Sequence, residues 1–201
     1  MQLVVTPFIG RGSTEVRGEL RRQDRETRAR LTSRAGSGES RNMDAAPRLI
    51  EIADAFATAH LEAILIGNAA AALHGAPVTT LDFDFLYRAS AGNETKLRRV
   101  AVLLGGHITQ PFPAVSTVFR ILREDSQLQI DLTSQIHGVK SFNSLRSKAV
   151  RVEIDGRTIL VASLPDIIRS KREANRPQDL AVLHVLQRTL EEQENGQAGT
   201  A

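Results

Sequence analysis

The chain has no cysteine, which excludes disulfides and thiolate metal sites. Tryptophan is absent and tyrosine occurs once, so stacking platforms for single-stranded nucleic acid are poorly supplied. No apolar run approaches the roughly 18 residues needed to span a bilayer, and no leader-like apolar core stands out. The sequence therefore predicts a cytoplasmic chain with no membrane partner. A basic surplus is also missing where it would count. The formal net charge is +3, but residues 1–42 hold nine Arg against five acidic side chains. Residues 43–201 hold 17 basic and 18 acidic ones, so the body of the chain has no global excess with which to grip RNA or DNA. The local cluster Lys96, Arg98 and Arg99 reads as a solvated helix face.

What is present divides at Met43. After a short apolar start, residues 10–42 are rich in Arg, Glu, Gly and Ser and cannot bury enough surface to offset their ordering entropy. Three readings of residues 1–42 stand: a disordered basic extension, a stretch upstream of a natural start at Met43, or an arginine-rich arm for nucleic acid. From Met43 the pattern is regular, and 43–190 reads as one domain with its own core, followed by a frayed tail at 191–201.

Within that domain, Leu49, Ile52, Ala53 and Phe56 follow helical spacing, with Asn42 or Asp44 as cap and Pro47 in the first turn. A buried strand at 63–66 and a short alanine-rich helix at 69–73 follow. A strand at 81–87 and a helix through Leu97, Val100, Ala101 and Leu104 come next, the helix stopped by Gly105-Gly106. Residues 117–123 and 128–133 flank a tight Asp125-Ser126 turn. Residues 150–154 and 158–161 flank Asp155-Gly156, a dipeptide suited to a type I′ turn. Ser163 and Asp166 form a capping pattern for a helix to about Asn175, and Pro177 opens a last helix to about Leu190. The order predicts an α/β (α+β) fold: a mixed sheet with flanking helices and a C-terminal helical pair.

The most informative stretch is Gly67 to Asp84. A glycine ends an apolar strand, and the next strand carries Asp82 and Asp84 on one face, with Leu81, Phe83 and Phe85 toward the core. Paired carboxylates on a rigid strand, near a glycine turn at a helix start, suit a divalent metal held against a polyphosphate. In the 128–133 strand, Leu128, Ile130 and Leu132 share one face, so Asp131 projects from the other with Gln129 and Thr133. If the two strands are neighbours, three carboxylates converge with no basic residue among them. Such a cluster repels itself unless a cation neutralises it, and one or two Mg²⁺ or Mn²⁺ ions would do so.

Ile66-Gly67-Asn68, the alanine-rich helix, His74-Gly75, Thr79-Thr80 and Asp82-Phe83-Asp84 resemble the nucleotidyltransferase fold of the DNA polymerase β-like superfamily. The likeness covers about residues 48–135 and, more weakly, 163–190. It is nearest to small bacterial nucleotidyltransferase-like toxins of toxin–antitoxin and abortive-infection systems. The resemblance implies Mg²⁺-dependent transfer of a nucleoside monophosphate from an NTP to an RNA or protein acceptor, with a cognate antitoxin as a further partner. It implies catalytic and metal-binding roles for Asp82, Asp84 and Asp131, and nucleotide contacts from Gly67, Asn68 and Lys171. Asn68 stands where the family has a second Gly or Ser, and Val78 where it often has Arg. Those two departures keep open a non-catalytic nucleotide- or partner-binding module; an antibiotic-modifying nucleotidyltransferase is the third reading.

Periodicity adds secondary candidates. Lys171 continues the apolar stripe of Leu164, Ile167 and Ile168, and Asp179 heads that of Val182, Leu183, Leu186 and Leu190. A charge on an apolar face needs a partner, so these two either pair with each other or serve a ligand. The run from Lys171 through Arg176 to Asp179 is similar to a family signature that favours Lys171 on the phosphates. Thr80 and His74 lie close to the glycine loop, although a histidine at a helix end is more often a cap or a satisfied core group.

Overall fold

The computed structural model describes residues 45–109 and 118–198. Among them are six helices and seven strands. In chain order they are α1 (Ala45–Ala59), β1 (Ala63–Ile66), α2 (Gly67–Leu73), β2 (Phe83–Tyr87), α3 (Ala91–Leu103), β3 (His107–Thr109) and β4 (Val118–Arg123). They continue with β5 (Leu128–Thr133), α4 (Phe142–Arg146), β6 (Val150–Ile154), β7 (Arg157–Val161), α5 (Leu164–Ala174) and α6 (Pro177–Ala198). The readings for residues 1–42, the cap of the first helix and Thr117 lie outside the described residues.

The strands form one mixed sheet in the order β3-β4-β5-β2-β1-β7-β6. β2 runs parallel to β5 and β1 parallel to β7, while the other neighbours are antiparallel. The interior strand β1, Ala-Ile-Leu-Ile, is buried at every position, as a strand covered on both faces must be. Leu49, Ile52 and Phe56 of α1 are buried, and the Phe56 ring meets Phe85 edge-on with centroids 4.8 Å apart. Helix α2 exposes almost nothing of Ala69 to Ala72, so its backbone lies close to its neighbours. The alanine run is therefore a packing requirement as well as a helix preference.

Local chemistry explains the element ends. Ser163 Oγ accepts from the Asp166 N–H at 3.4 Å to start α5, and Asn175 at φ 52° ends it. Asp155 (φ 48°) and Gly156 (φ 75°) both take the left-handed conformation that a type I′ turn needs.

Three expectations need correction. β2 begins at Phe83, with Asp82 in the bend before it, and Leu81 is 73% exposed instead of packing in the core. Thr80 causes this: its hydroxyl donates to the Asp82 carbonyl at 2.7 Å and bends the chain out of the strand. The last helix continues past Leu190 to Ala198, and the Gln193 amide donates to the His74 carbonyl at 2.7 Å, holding residues assigned to a frayed tail. Short elements β3 and α4 also occur where no element was expected, because three to five residues carry too little periodicity to read.

Candidate active site

The pairing of β2 with β5 builds the site. Asp84 and Asp131 are direct partners in this parallel register, so both carboxylates leave the same face of the sheet at the same level. Asp82 joins them from the preceding bend, and one oxygen from each of the three acids lies within 4.8 Å of the others. They stand in an open cleft of about 700 Å³ whose far wall is α5 and the start of α6. The expected convergence of Asp82, Asp84 and Asp131 is thus present.

The three acids are not equivalent. The Asp84 carboxylate accepts no hydrogen bond among the described residues. Burial, reinforced by the charges of Asp82 and Asp131, pushes its carboxyl up from 3.8 to about 7; Lys171 and Arg176 act weakly against this. Gly67 makes room for it. Gly67 sits at φ +68°, and an added Cβ would run into Asp84 Oδ2. The glycine is thus required twice, by its backbone and by the carboxylate against it. Asp82 is held by Thr80, whose Oγ1 lies 3.4 Å from Oδ1, and by Gln129, whose Nε2 donates to Oδ2 at 3.2 Å.

Asp131 has a basic partner, contrary to the expectation of a cluster without one. Arg120 on β4 donates to it through a fork, Nε to Oδ1 at 2.7 Å and Nη2 to Oδ2 at 2.6 Å. The sequence reading missed Arg120. The signal was available in the hairpin: a turn centred on 125 and 126 sets residue 120 opposite 131, and these two are register partners across β4–β5.

Asn68 also differs from expectation. Its amide donates to the Thr79 carbonyl at 3.2 Å, while Oδ1 is buried without a partner. One of the two amide N–H groups is thus bound to the chain itself, and turning the amide over would set oxygen against oxygen. Val78 is 6% exposed, so a charged side chain would not fit at that position without leaving the core.

On the far wall, Lys171 and Asp179 do pair. Lys171 Nζ donates to Asp179 Oδ1 at 2.9 Å, and Arg176 Nε to Oδ2 at 2.6 Å. Burial pushes the Asp179 carboxyl up, but the hydrogen bonds from Arg176 and Lys171 outweigh it and hold the group below its ordinary range. Both cations line the cleft, with this shared aspartate fixing where they stand. Asp166, also buried, is clasped by Ser163 and Arg169; its sequence pattern implied a capping role and no place in the site. His74 turns from the acids, with Nε2 2.8 Å from the Ala162 carbonyl oxygen; this is the satisfied core role.

The donor set suits a hard divalent cation. It offers carboxylate oxygens from three residues within reach of one another, no nitrogen or sulfur ligand, and a glycine-made space at Asp84.

No family model matches the sequence, and a search of curated proteins finds no match. Solved structures do. The antibiotic-resistance factor ANT(2'')-Ia is 14% identical, with 72% of this chain and 83% of that one covered at a TM-score of 0.51. The lincosamide antibiotic adenylyltransferase LnuA is 13% identical, with 70% and 95% covered, also at 0.51. An antigenic nucleotidyltransferase-like protein from Paracoccidioides brasiliensis is 13% identical, with 72% and 76% covered at 0.50. At such identities the likeness is one of fold, and the seven-stranded mixed sheet with its helices is the nucleotidyltransferase fold.

Proposed function

We propose that this chain is a divalent-metal-dependent nucleotidyltransferase that moves a nucleoside monophosphate from an NTP to an acceptor, RNA or protein, as a toxin would. The observation that carries the reading is the convergence of Asp82, Asp84 and Asp131, with Gly67 kept bare against Asp84.

Asp82 and Asp84 would hold the ion. Bound there, Mg²⁺ or Mn²⁺ would offset charge on the phosphates and polarise the α-phosphoryl group. Lys171 and Arg176, anchored by Asp179, face the same cleft and suit the negative β- and γ-phosphates. In the transfer, the acceptor oxygen bonds to the α-phosphorus, the bond to the bridging oxygen breaks, and pyrophosphate leaves. The acceptor proton passes to a carboxylate; Asp131 is suited to take it, since one of its roughly four lone-pair positions stays open beyond the Arg120 fork and the Gln129 amide.

A small-molecule acceptor is the second reading. ANT(2'')-Ia, solved with adenylyl-2''-tobramycin, shares the fold, and the cleft volume lies within the range of small-molecule sites. A non-catalytic nucleotide binder is the third, favoured by the Arg120 fork on Asp131. The test is incubation with each NTP, Mg²⁺ or Mn²⁺ and cell extract, followed by separation of labelled RNA, protein and small molecules. Label in RNA or protein supports the first reading, label in small molecules the second. Nucleotide binding without transfer to any class supports the third.

A further inference from the structure

The Arg120–Asp131 pair has a consequence for how many cations the site takes. Both residues sit on adjacent strands as direct register partners, so their contact is set by the sheet and needs no long side chain to swing across. The fork engages both Asp131 oxygens at 2.6 and 2.7 Å. Gln129 strengthens the arrangement. Its Nε2 lies 3.2 Å from Asp82 Oδ2 and 3.5 Å from Asp131 Oδ2, bridging the two acids with N–H donors. The space between Asp82 and Asp131 is thus lined by an amide donor and backed by a guanidinium. Asp84 differs: its carboxylate accepts no hydrogen bond among the described residues, and Gly67, lacking a Cβ, leaves room beside Oδ2.

We propose that the site takes one divalent cation, on Asp82 and Asp84, and that Arg120 is a fixed positive charge filling the place beside Asp131 that a second cation would otherwise take. Asp131 is then a hydrogen-bonding and proton-accepting group, not a metal ligand. Three carboxylates with one guanidinium leave two formal negative charges, which a single divalent ion neutralises. A second ion beside Asp131 would meet the guanidinium at close range and be repelled. This inference rests on the metal-site reading above and deepens it.

The test is titration of the full chain with MnCl₂ alone, following free Mn²⁺ by electron paramagnetic resonance. Three proteins are compared: wild type, Arg120→Met and Asp131→Asn. Arg120→Met keeps the buried stem while removing the charge. Circular dichroism and thermal melts establish that each variant is folded. The expected result is one ion in the wild type, one in Asp131→Asn with little change in affinity, and two in Arg120→Met. If Asp131 is a ligand, Asp131→Asn should weaken Mn²⁺ binding by about tenfold or more. Two ions in the wild type, or that loss in Asp131→Asn, overturn the inference while leaving the metal-site reading intact. One ion in a folded Arg120→Met protein also overturns it. No bound ion in a folded wild type overturns both. Should Arg120→Met not fold, the wild-type count and the Asp131→Asn affinity still decide.

Discussion

Replacing Asp84 with Asn removes a charge while keeping the shape of the side chain, and the structure predicts a gain in stability without metal. Asp84 is pushed from 3.8 to about 7 by burial and by its two carboxylate neighbours. Ionising a group so displaced costs on the order of 4 kcal/mol in the native state. Because the folded value is raised, the native chain holds a proton that the unfolded chain has released. Stability linked to Asp84 is therefore complete below pH 3.8, falls as pH rises, and is lost above about 7. Asn carries no such dependence. Solvent relaxation and the altered hydrogen bonding of the amide will take part of the gain, so about 1–3 kcal/mol at pH 8 is the working figure. That corresponds to a rise in Tm of roughly 2–10 °C for a domain of this size. The assay is thermal unfolding of wild type and Asp84→Asn in EDTA at pH 8 and again near pH 4.5, where most of the difference should be gone. Adding Mn²⁺ and NTP should reverse the order at pH 8: a ligand at a hundredfold excess over Kd stabilises by about 2.7 kcal/mol, and only the wild type binds it well. An Asn variant less stable than wild type at pH 8 without metal would refute the repulsion argument and make Asp84 a structural partner.

Two further perturbations follow from the same geometry. Gly67→Ala should cost about 1–2 kcal/mol for the left-handed backbone alone and should also displace Asp84, abolishing Mn²⁺ binding. Adding Asp84→Ala should recover part of the stability in a double-mutant cycle, and strict additivity would show that the two do not touch. Asp179→Asn should destabilise by about 3 kcal/mol at pH 7, since Lys171 and Arg176 lose their shared carboxylate. Asp179 is held below its ordinary value, so the stability it provides is present above 3.8 and lost as pH falls further. Urea unfolding at pH 7 and pH 3 checks this: the penalty should shrink at pH 3, and an equal penalty at both would place its cause elsewhere.

Much of the scaffold was legible because strand and turn chemistry is local. The alternation in 128–133 put Asp131 opposite the core, and the Asp155-Gly156 pair marked a hairpin that the structure contains. What stayed hidden depends on contacts between distant segments. Arg120 looked like one more charge in a strand, and only the β4–β5 register reveals that it grips Asp131. Nothing around Asn68 showed that one of its amide N–H groups binds the Thr79 carbonyl. Leu81 fitted the period-2 pattern, yet the Thr80 hydroxyl bends the chain there and exposes it. Lys171 and Asp179 were each readable as charges on apolar stripes, and their pairing across the α5–α6 turn was one of two outcomes the periodicity allowed.

The central claim is that the three-aspartate cleft transfers a nucleoside monophosphate. The most direct measurement compares α-³²P- and γ-³²P-labelled NTPs, with Mg²⁺ or Mn²⁺ and cell extract, using wild type and Asp84→Asn. Such a transfer should give covalent α-label on an acceptor, none from γ-label, pyrophosphate released in step, and loss by orders of magnitude in Asp84→Asn. Transfer of γ-label, or α-label transfer unchanged in a folded Asp84→Asn protein, would contradict it.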